Sequence, residues 1–182
     1  YNDILEVDSN HKVFSSDGAV TLDERQLKGT DENSARSGGF IAMDPPQHDV
    51  QRKIVSPAVA PSNLARLEGL IRERTRRVLD SLPIGEEFDF AERVAIELTL
   101  LMLATLLDFP AEEKSRLKFW SDMVTGTPGD GVVDSWEQRD SALKEMGGVF
   151  LALREERRNA KDSPDLVSMM ATSPLAQDMG VM

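Results

Sequence analysis

From Asp89 to Phe109 the sequence reads Asp-Phe-Ala-Glu-Arg-Val-Ala-Ile-Glu-Leu-Thr-Leu-Leu-Met-Leu-Ala-Thr-Leu-Leu-Asp-Phe. Between Val94 and Leu107 apolar side chains point in nearly every helical direction. A helix of that kind must be buried on most sides. Asp89 and Glu92 stand in capping-box spacing just before it. The apolar run Leu98 to Leu107 is too short to span a bilayer. Such a segment forces the rest of the chain to wrap it, and Met102 within it reads as packing material rather than as a ligand.

The wrapping material is helical. Ile4, Val7, His11 and Phe14 keep the helical rhythm of three and four, which predicts a helix over Tyr1–Phe14, stopped by Ser15-Ser16-Asp17-Gly18. His11 then falls at the helix end, near the C-terminal dipole. Leu64, Leu67, Leu70, Ile71, Val78 and Leu79 form one side of a helix capped by Ser62 or Asn63 and closed by Pro83. Its run Arg72-Glu73-Arg74-Thr75-Arg76-Arg77 is a solvated face. Pro110-Ala111-Glu112-Glu113 opens another helix, with acids in its first turn. Leu117, Trp120, Met123 and Val124 form its buried side, with Phe119 flanking. Gly126 to Gly131 breaks it. This cluster lacks the lysine and spacing of a phosphate loop and reads as a flexible hinge. Ser135-Trp136-Glu137-Gln138 is a second capping box, opening a helix to about Asn159 with Leu143, Met146, Phe150 and Leu153 on one side. Gly147-Gly148 in its middle implies close packing or a bend. Ser163-Pro164-Asp165 starts a last helix with Leu166, Val167, Met169 and Met170, ended by Pro174. Ala19–Leu22 reads as a short strand. Asp23–Gly39 reads as a long loop, either functional or plain surface disorder. The fold class is therefore mainly α, about seven helices with little strand.

Composition excludes several functions. The 182 residues carry 21 basic and 32 acidic side chains, a formal charge of -11, which argues against general nucleic-acid binding. There is no cysteine, so disulfides, thiolate metal sites and cysteine nucleophiles are excluded within the chain. Two histidines, His11 and His48, are too few for a multi-histidine metal site. There is no Gly-x-Ser-x-Gly elbow and no dinucleotide fingerprint after a strand. Without a signal peptide or spanning segment, a cytoplasmic setting is expected. The chain opens at Tyr1 inside a helical pattern and stops at Gly180-Val181-Met182 without a terminating feature, as an internal segment of a longer protein would.

The richest stretch is Phe40 to Pro57. Asp44 can act as N-cap, with Pro45 at the first helical position and Gln47 in capping-box spacing. Pro57 is expected to end this helix, with Ser56 pushed out of helical geometry. Pro57–Pro61 would be an extended connector. His48 and Arg52 lie four apart, hence on one face. On spacing alone a solvated face is the favoured reading, with Asp49 as counter-charge. The functional reading is an anion clamp, Arg52 offering a fork of donors that matches a carboxylate and His48 adding one N–H.

The same residues, Met43-Asp44-Pro45-Pro46-Gln47-His48-Asp49-Val50-Gln51-Arg52 followed by Val55-Ser56-Pro57-Ala58-Val59-Ala60-Pro61, closely resemble the helix C region of bacterial cytochrome P-450 monooxygenases. The pattern there is Asp-Pro-Pro-x-His-x-x-x-Arg, then Ser-Pro-x-Phe-x-Pro, and Val59 departs from its Phe. Tyr1–Ser16 looks like helix B, with its Phe-Ser-Ser ending, and the later helices look like D to H. Phe40–Arg52 and Met102–Pro110 are similar to the soluble alkane-hydroxylating subfamily. The resemblance implies a partial cytochrome P-450 domain over residues 1–182, covering helix B to helix H in the N-terminal half of that fold. The B–C loop falls at about 17–43 and the F–G region at about 123–134, over an access channel.

The resemblance further implies that His48 and Arg52 bind haem propionates. Phe40, Ile41, Met123 and Val124 would border the substrate pocket. The parent enzyme would hydroxylate medium-chain alkanes or related aliphatic chains at the terminal carbon, using dioxygen and electrons from a ferredoxin and its reductase. The family's iron is held by a cysteine thiolate, and this chain has none. The oxygen-activating threonine of helix I and the Glu-x-x-Arg of helix K are also missing, so no catalytic residue is expected here and the segment alone should be inactive. The competing expectation is an acidic all-α binding or regulatory module without catalysis.

Overall fold

The computed structural model describes residues 1–17, 39–160 and 163–174. Among the described residues there are seven α-helices: α1 Asn2–Ser9, α2 Gln47–Val55, α3 Pro61–Asp80, α4 Glu97–Leu107, α5 Lys114–Thr125, α6 Trp136–Glu156 and α7 Leu166–Thr172. A single bridge between Pro128 and Val133 is the only β pairing among them. The mainly-α expectation holds. The segment expected as a strand, Ala19–Leu22, and the loop from Asp23 to residue 38 lie outside the described residues. The chain divides into two compact units, Tyr1–Ser56 with Pro174–Met182, and Pro57–Ser173.

In the larger unit α4 is the central element, packed against α3, α5 and α7, with α5 on α6 and α6 on α7. Its core joins Ala104, Phe109, Leu117, Trp120, Met123, Val133 and Ala142, with Leu100, Leu103, Leu107, Met146, Phe150 and Leu153 packed against it. Here the all-round apolar helix was only partly anticipated. Its first turns, Ala91–Ile96, are a π-helix, and regular α geometry starts at Glu97. Along α4 only Ala104 is buried and the other apolar residues are half-buried. Asp89 does cap the segment, its Oδ1 accepting the Glu92 N–H at 3.0 Å. Arg74 of α3 reaches across to the Leu101 carbonyl and the Thr105 hydroxyl, which ties α3 to α4.

Other boundaries shift for local reasons. The first helix stops at Ser9, where Asn10 leaves helical geometry at φ -105° and ψ 63°. Ile4, Val7 and Phe14 are exposed, so the rhythm of three and four there marks no buried face. Neither Ser62 nor Asn63 caps α3. That helix starts at Pro61 after an extended Ala60, and Asn63 is buried with its Nδ2 donating to the Ala58 carbonyl at 2.6 Å. Val124 is exposed rather than part of the buried side of α5. Of the two later caps, the one at Ser135 is as expected, and the one at Asp165 fixes the helix start that the sequence placed at Ser163-Pro164-Asp165. Ser135 Oγ accepts the Gln138 N–H, and Asp165 accepts the Ser168 N–H. Helix α6 passes unbroken through Gly147-Gly148, and a Cβ on either would meet nothing within 4 Å, so close packing is not their reason.

The glycine cluster expected as a hinge is built as a hydrogen-bonded turn. The Asp130 carboxylate accepts the backbone N–H groups of Thr127, Val132 and Val133 at 2.7, 2.8 and 3.0 Å. Those bonds, Val133 first, hold its carboxyl below the usual carboxylate range. Gly126 sits where a Cβ would lie 2.5 Å from Val133 Cγ2 and 2.7 Å from the Asp122 carbonyl oxygen. Gly126→Ala is therefore expected to lose about 1–3 kcal/mol by overpacking, read as a lowered midpoint in chemical denaturation.

Candidate functional site

The site lies in the smaller unit and begins at Asp44. A capping carboxylate ordinarily bonds the N–H of the second or third helical residue. With Pro45 first, the second is Pro46, which has no N–H, and only Gln47 is left. The structure resolves this by beginning α2 at Gln47, with no side-chain cap. Asp44 instead turns to Ser15 and Ser16. Its Oδ2 accepts the Ser15 hydroxyl at 2.5 Å and its Oδ1 accepts the Ser16 N–H at 2.9 Å. Those two bonds, the Ser15 hydroxyl foremost, hold the Asp44 carboxyl below its ordinary value. The expected capping box is thus replaced by a link across 28 positions of sequence.

At its other end α2 does not stop before Pro57. Ser56 keeps helical angles, φ -54° and ψ -38°, and a 3-10 turn continues over Ser56–Val59. Proline at 57 disfavours but does not forbid this geometry. The Ser56 hydroxyl also donates to the Arg52 carbonyl at 2.7 Å, which supports the extra turn. The expected extended connector is accordingly reduced to Ala60.

His48 and Arg52 are both on α2, one turn apart. The Nδ1 of His48 lies 3.0 Å from Asp49 Oδ1, and the side chain retains 25% of its exposure. Among the described residues nothing bonds Nε2, which donates when the ring is charged. The ring of Phe40 meets the imidazole edge-on, centroids 5.9 Å apart at 60°. Phe40 comes from the 3-10 turn Gly39–Ala42, so the aromatic contact fixes one side of the imidazole. Arg52 is exposed, and among the described residues no carboxylate or carbonyl bonds its guanidinium. A guanidinium carries five N–H donors in a fixed fork.

The remaining expected pocket residues are Ile41, Met123 and Val124. Ile41 is exposed at 63%. Met123 is buried at 2% within the helical core of the larger unit, and Val124 is exposed on the same helix. Sequence reasoning missed two partners of the site, the Ser15–Ser16 link to Asp44 and the seating of Phe40 on His48. The available signal for the first was the missing N–H of Pro46.

Chemically the donor set suits carboxylates. A guanidinium without a partner among the described residues and an imidazole one turn away can grip two anionic groups on flexible arms. Haem propionates are such groups, so the residues present fit that cofactor at its acidic edge. The fold and this site together describe a helical protein segment whose His48 and Arg52 donors, one turn apart, suit an anionic group.

No family model matches the sequence. The chain is 31% identical over 180 residues to linalool 8-monooxygenase of Pseudomonas putida, covering 96% of this chain and 44% of that protein. Among solved structures it resembles cytochrome P-450-153 from Novosphingobium aromaticivorans, with 37% identity and a TM-score of 0.77 over 97% of this chain and 43% of the other. It resembles CYP153D17 from Sphingomonas sp. PAMC 26605 similarly, with 38% identity and a TM-score of 0.75 over 96% and 44%. The chain belongs to the cytochrome P-450 family, and its helices form part of that fold. It spans about two fifths of the length of the relatives it matches. The family carries haem iron; with no cysteine in the sequence, this chain supplies no thiolate to it. No helix among the described residues is long and apolar enough to cross a membrane.

Proposed function

We propose that this chain is the propionate-holding part of a haem-dependent monooxygenase that hydroxylates medium-chain alkanes or related aliphatic chains at a terminal carbon. The observation that carries the reading is Arg52, a guanidinium one turn from His48 with no protein partner among the described residues. Arg52 and the Nε2 of His48 hold the two propionates. Asp49 orients the imidazole through Nδ1. The bound haem supplies activation of dioxygen, with one oxygen atom inserted at a C–H bond. Phe40 and Ile41 border the aliphatic substrate, and residues 123–134, with Met123 and Val124, form the F–G region near its access route. Residues 1–182 are one partial domain running from helix B to helix H. A ferredoxin and its reductase deliver the electrons, in the cytoplasm. Support for the aliphatic substrate is the likeness of Phe40–Arg52 and Met102–Pro110 to the alkane-hydroxylating subfamily.

Arg52→Ala in the whole protein tests the site. Loss of a charge-assisted pair is worth about 1.5–3 kcal/mol, so haem transfer to a scavenging apoprotein is expected to speed up roughly 10- to 100-fold. Unchanged haem content and release would remove the propionate assignment. The substrate is tested separately, by incubating the reconstituted enzyme with n-octane. 1-Octanol is the expected product, and absence of any alkane oxidation alongside oxidation of a bulkier substrate sinks the aliphatic reading.

A further inference from the structure

We propose that Asp44 is a positioning residue for the His48–Arg52 pair, acting as a latch between the Ser15–Ser16 turn and the start of α2. Both ends of this residue are committed. Its carboxylate takes the Ser15 hydroxyl at 2.5 Å and the Ser16 N–H at 2.9 Å. Its carbonyl takes the backbone N–H of His48 at 3.1 Å. One residue therefore joins the segment after α1 to the backbone that carries the imidazole. The Ser15 hydroxyl is itself held from the other side, accepting the Asp17 N–H at 3.0 Å.

The local sequence makes this arrangement stable against the obvious competitor. A free Asp44 carboxylate would normally fold back onto the first turn of its own helix. Pro45 and Pro46 supply no N–H, so that alternative offers one donor, at Gln47, where the Ser15–Ser16 turn offers two. The latch fixes the start of α2 on one side while Phe40 seats the His48 ring on the other. Arg52 is one helical turn further along the same rigid element. A shift of the start of α2 moves both donors together, and a bidentate clamp tolerates little misplacement.

The inference rests on the propionate reading for its haem readout, so the test has two arms in the whole protein. Amide exchange of Ser16, read by mass spectrometry, reports the latch without haem. Haem loss to a scavenging apoprotein reports the clamp. Asp44→Ala is expected to speed both about tenfold, the effect of roughly 1.4 kcal/mol. Asp44→Asn, which keeps one carbonyl oxygen for the Ser16 N–H and an amide that can face the Ser15 hydroxyl, is expected to restore both to within about threefold.

In a His48→Ala/Arg52→Ala background, Asp44→Ala is expected to add less than twofold to haem loss, because it acts through those two side chains. A full tenfold addition there overturns the positioning role. Unchanged Ser16 exchange in Asp44→Ala overturns the latch. If the double background keeps haem at the wild-type rate, it is the propionate reading that fails, and Ser16 exchange alone then decides the latch.

Discussion

Trp120→Ala is expected to lower folding stability by about 3–5 kcal/mol, the largest effect of any single truncation in the core. Trp120 is 1% exposed, in the middle of α5. Its ring meets Phe109 edge-on at 6.0 Å and 76°, and Phe150 at 6.1 Å and 58°. Phe109 and Phe150 also face each other at 6.2 Å, so three rings close a triangle between the end of α4, α5 and α6. The Arg116 guanidinium lies over the indole at 4.8 Å and covers its outer side. Removing the indole opens a cavity at the point where three elements meet, and neighbouring rings cannot relax into it without leaving one another. Trp120→Phe should cost much less, about 1–2 kcal/mol, because the buried indole Nε1 has no hydrogen-bond partner among the described residues and its loss removes that donor. Chemical denaturation followed by circular dichroism separates the two variants. A Trp120→Ala loss under 1 kcal/mol, or equal losses for both, would place the centre of the core elsewhere.

How much of this was legible in the sequence depends on whether the cause was local. The caps at Asp89 and Ser135 were readable because cap and target lie within four residues of each other. The Leu117, Trp120 and Met123 face was readable because helical spacing alone puts those residues together. Val124 broke that pattern, since helical spacing gives the width of an apolar face only approximately. Asp44 failed for a different reason. Its residue type and position suited an N-cap, but two distant serines offered more donors than its own helix did. The break at Gly126–Gly131 was visible, whereas its closure by Asp130 needed the chain to return Val133 to the core. At the site, the pairing of His48 with Arg52 follows from spacing of four on one helix. That no described carboxylate or carbonyl bonds the Arg52 guanidinium depends on packing in space, which spacing along one helix does not carry.

Arg157 was invisible in the sequence, and its replacement has the second large expected effect. The side chain sits just past the end of α6, 15% exposed, and binds three other points of the larger unit. One terminal nitrogen donates to the Leu107 carbonyl at 2.9 Å and to Asp165 Oδ1 at 3.3 Å. The other donates to the Asp108 carbonyl at 2.6 Å and lies 3.1 Å from its carboxylate. Asp108 ends α4 in left-handed geometry, at φ 48°, and Asp165 caps α7. One guanidinium thus ties the ends of α4 and α6 to the start of α7.

Arg157→Ala leaves Asp165, itself 6% exposed, with its charge less compensated. Breaking a buried pair in this way costs about 3–5 kcal/mol, and the partial solvent contact of Arg157 puts the expectation near 3 kcal/mol. Arg157→Lys should recover only part of it, because an ammonium cannot present two parallel forks to two carbonyls and two carboxylates. The acid limb of stability gives an independent check. Burial pushes the Asp165 carboxyl up, but the Ser163 hydroxyl, Ser168 and then Arg157 together outweigh it and hold it below the ordinary carboxylate value. A group lowered in the folded state contributes stability above its unfolded pKa and loses it as pH falls through the folded one. Removing Arg157 takes away one of the lowering influences, so acid unfolding of Arg157→Ala should begin at higher pH than in the wild type. An acid midpoint that stays fixed or moves down in Arg157→Ala would show that Asp165 is held by its serine partners alone.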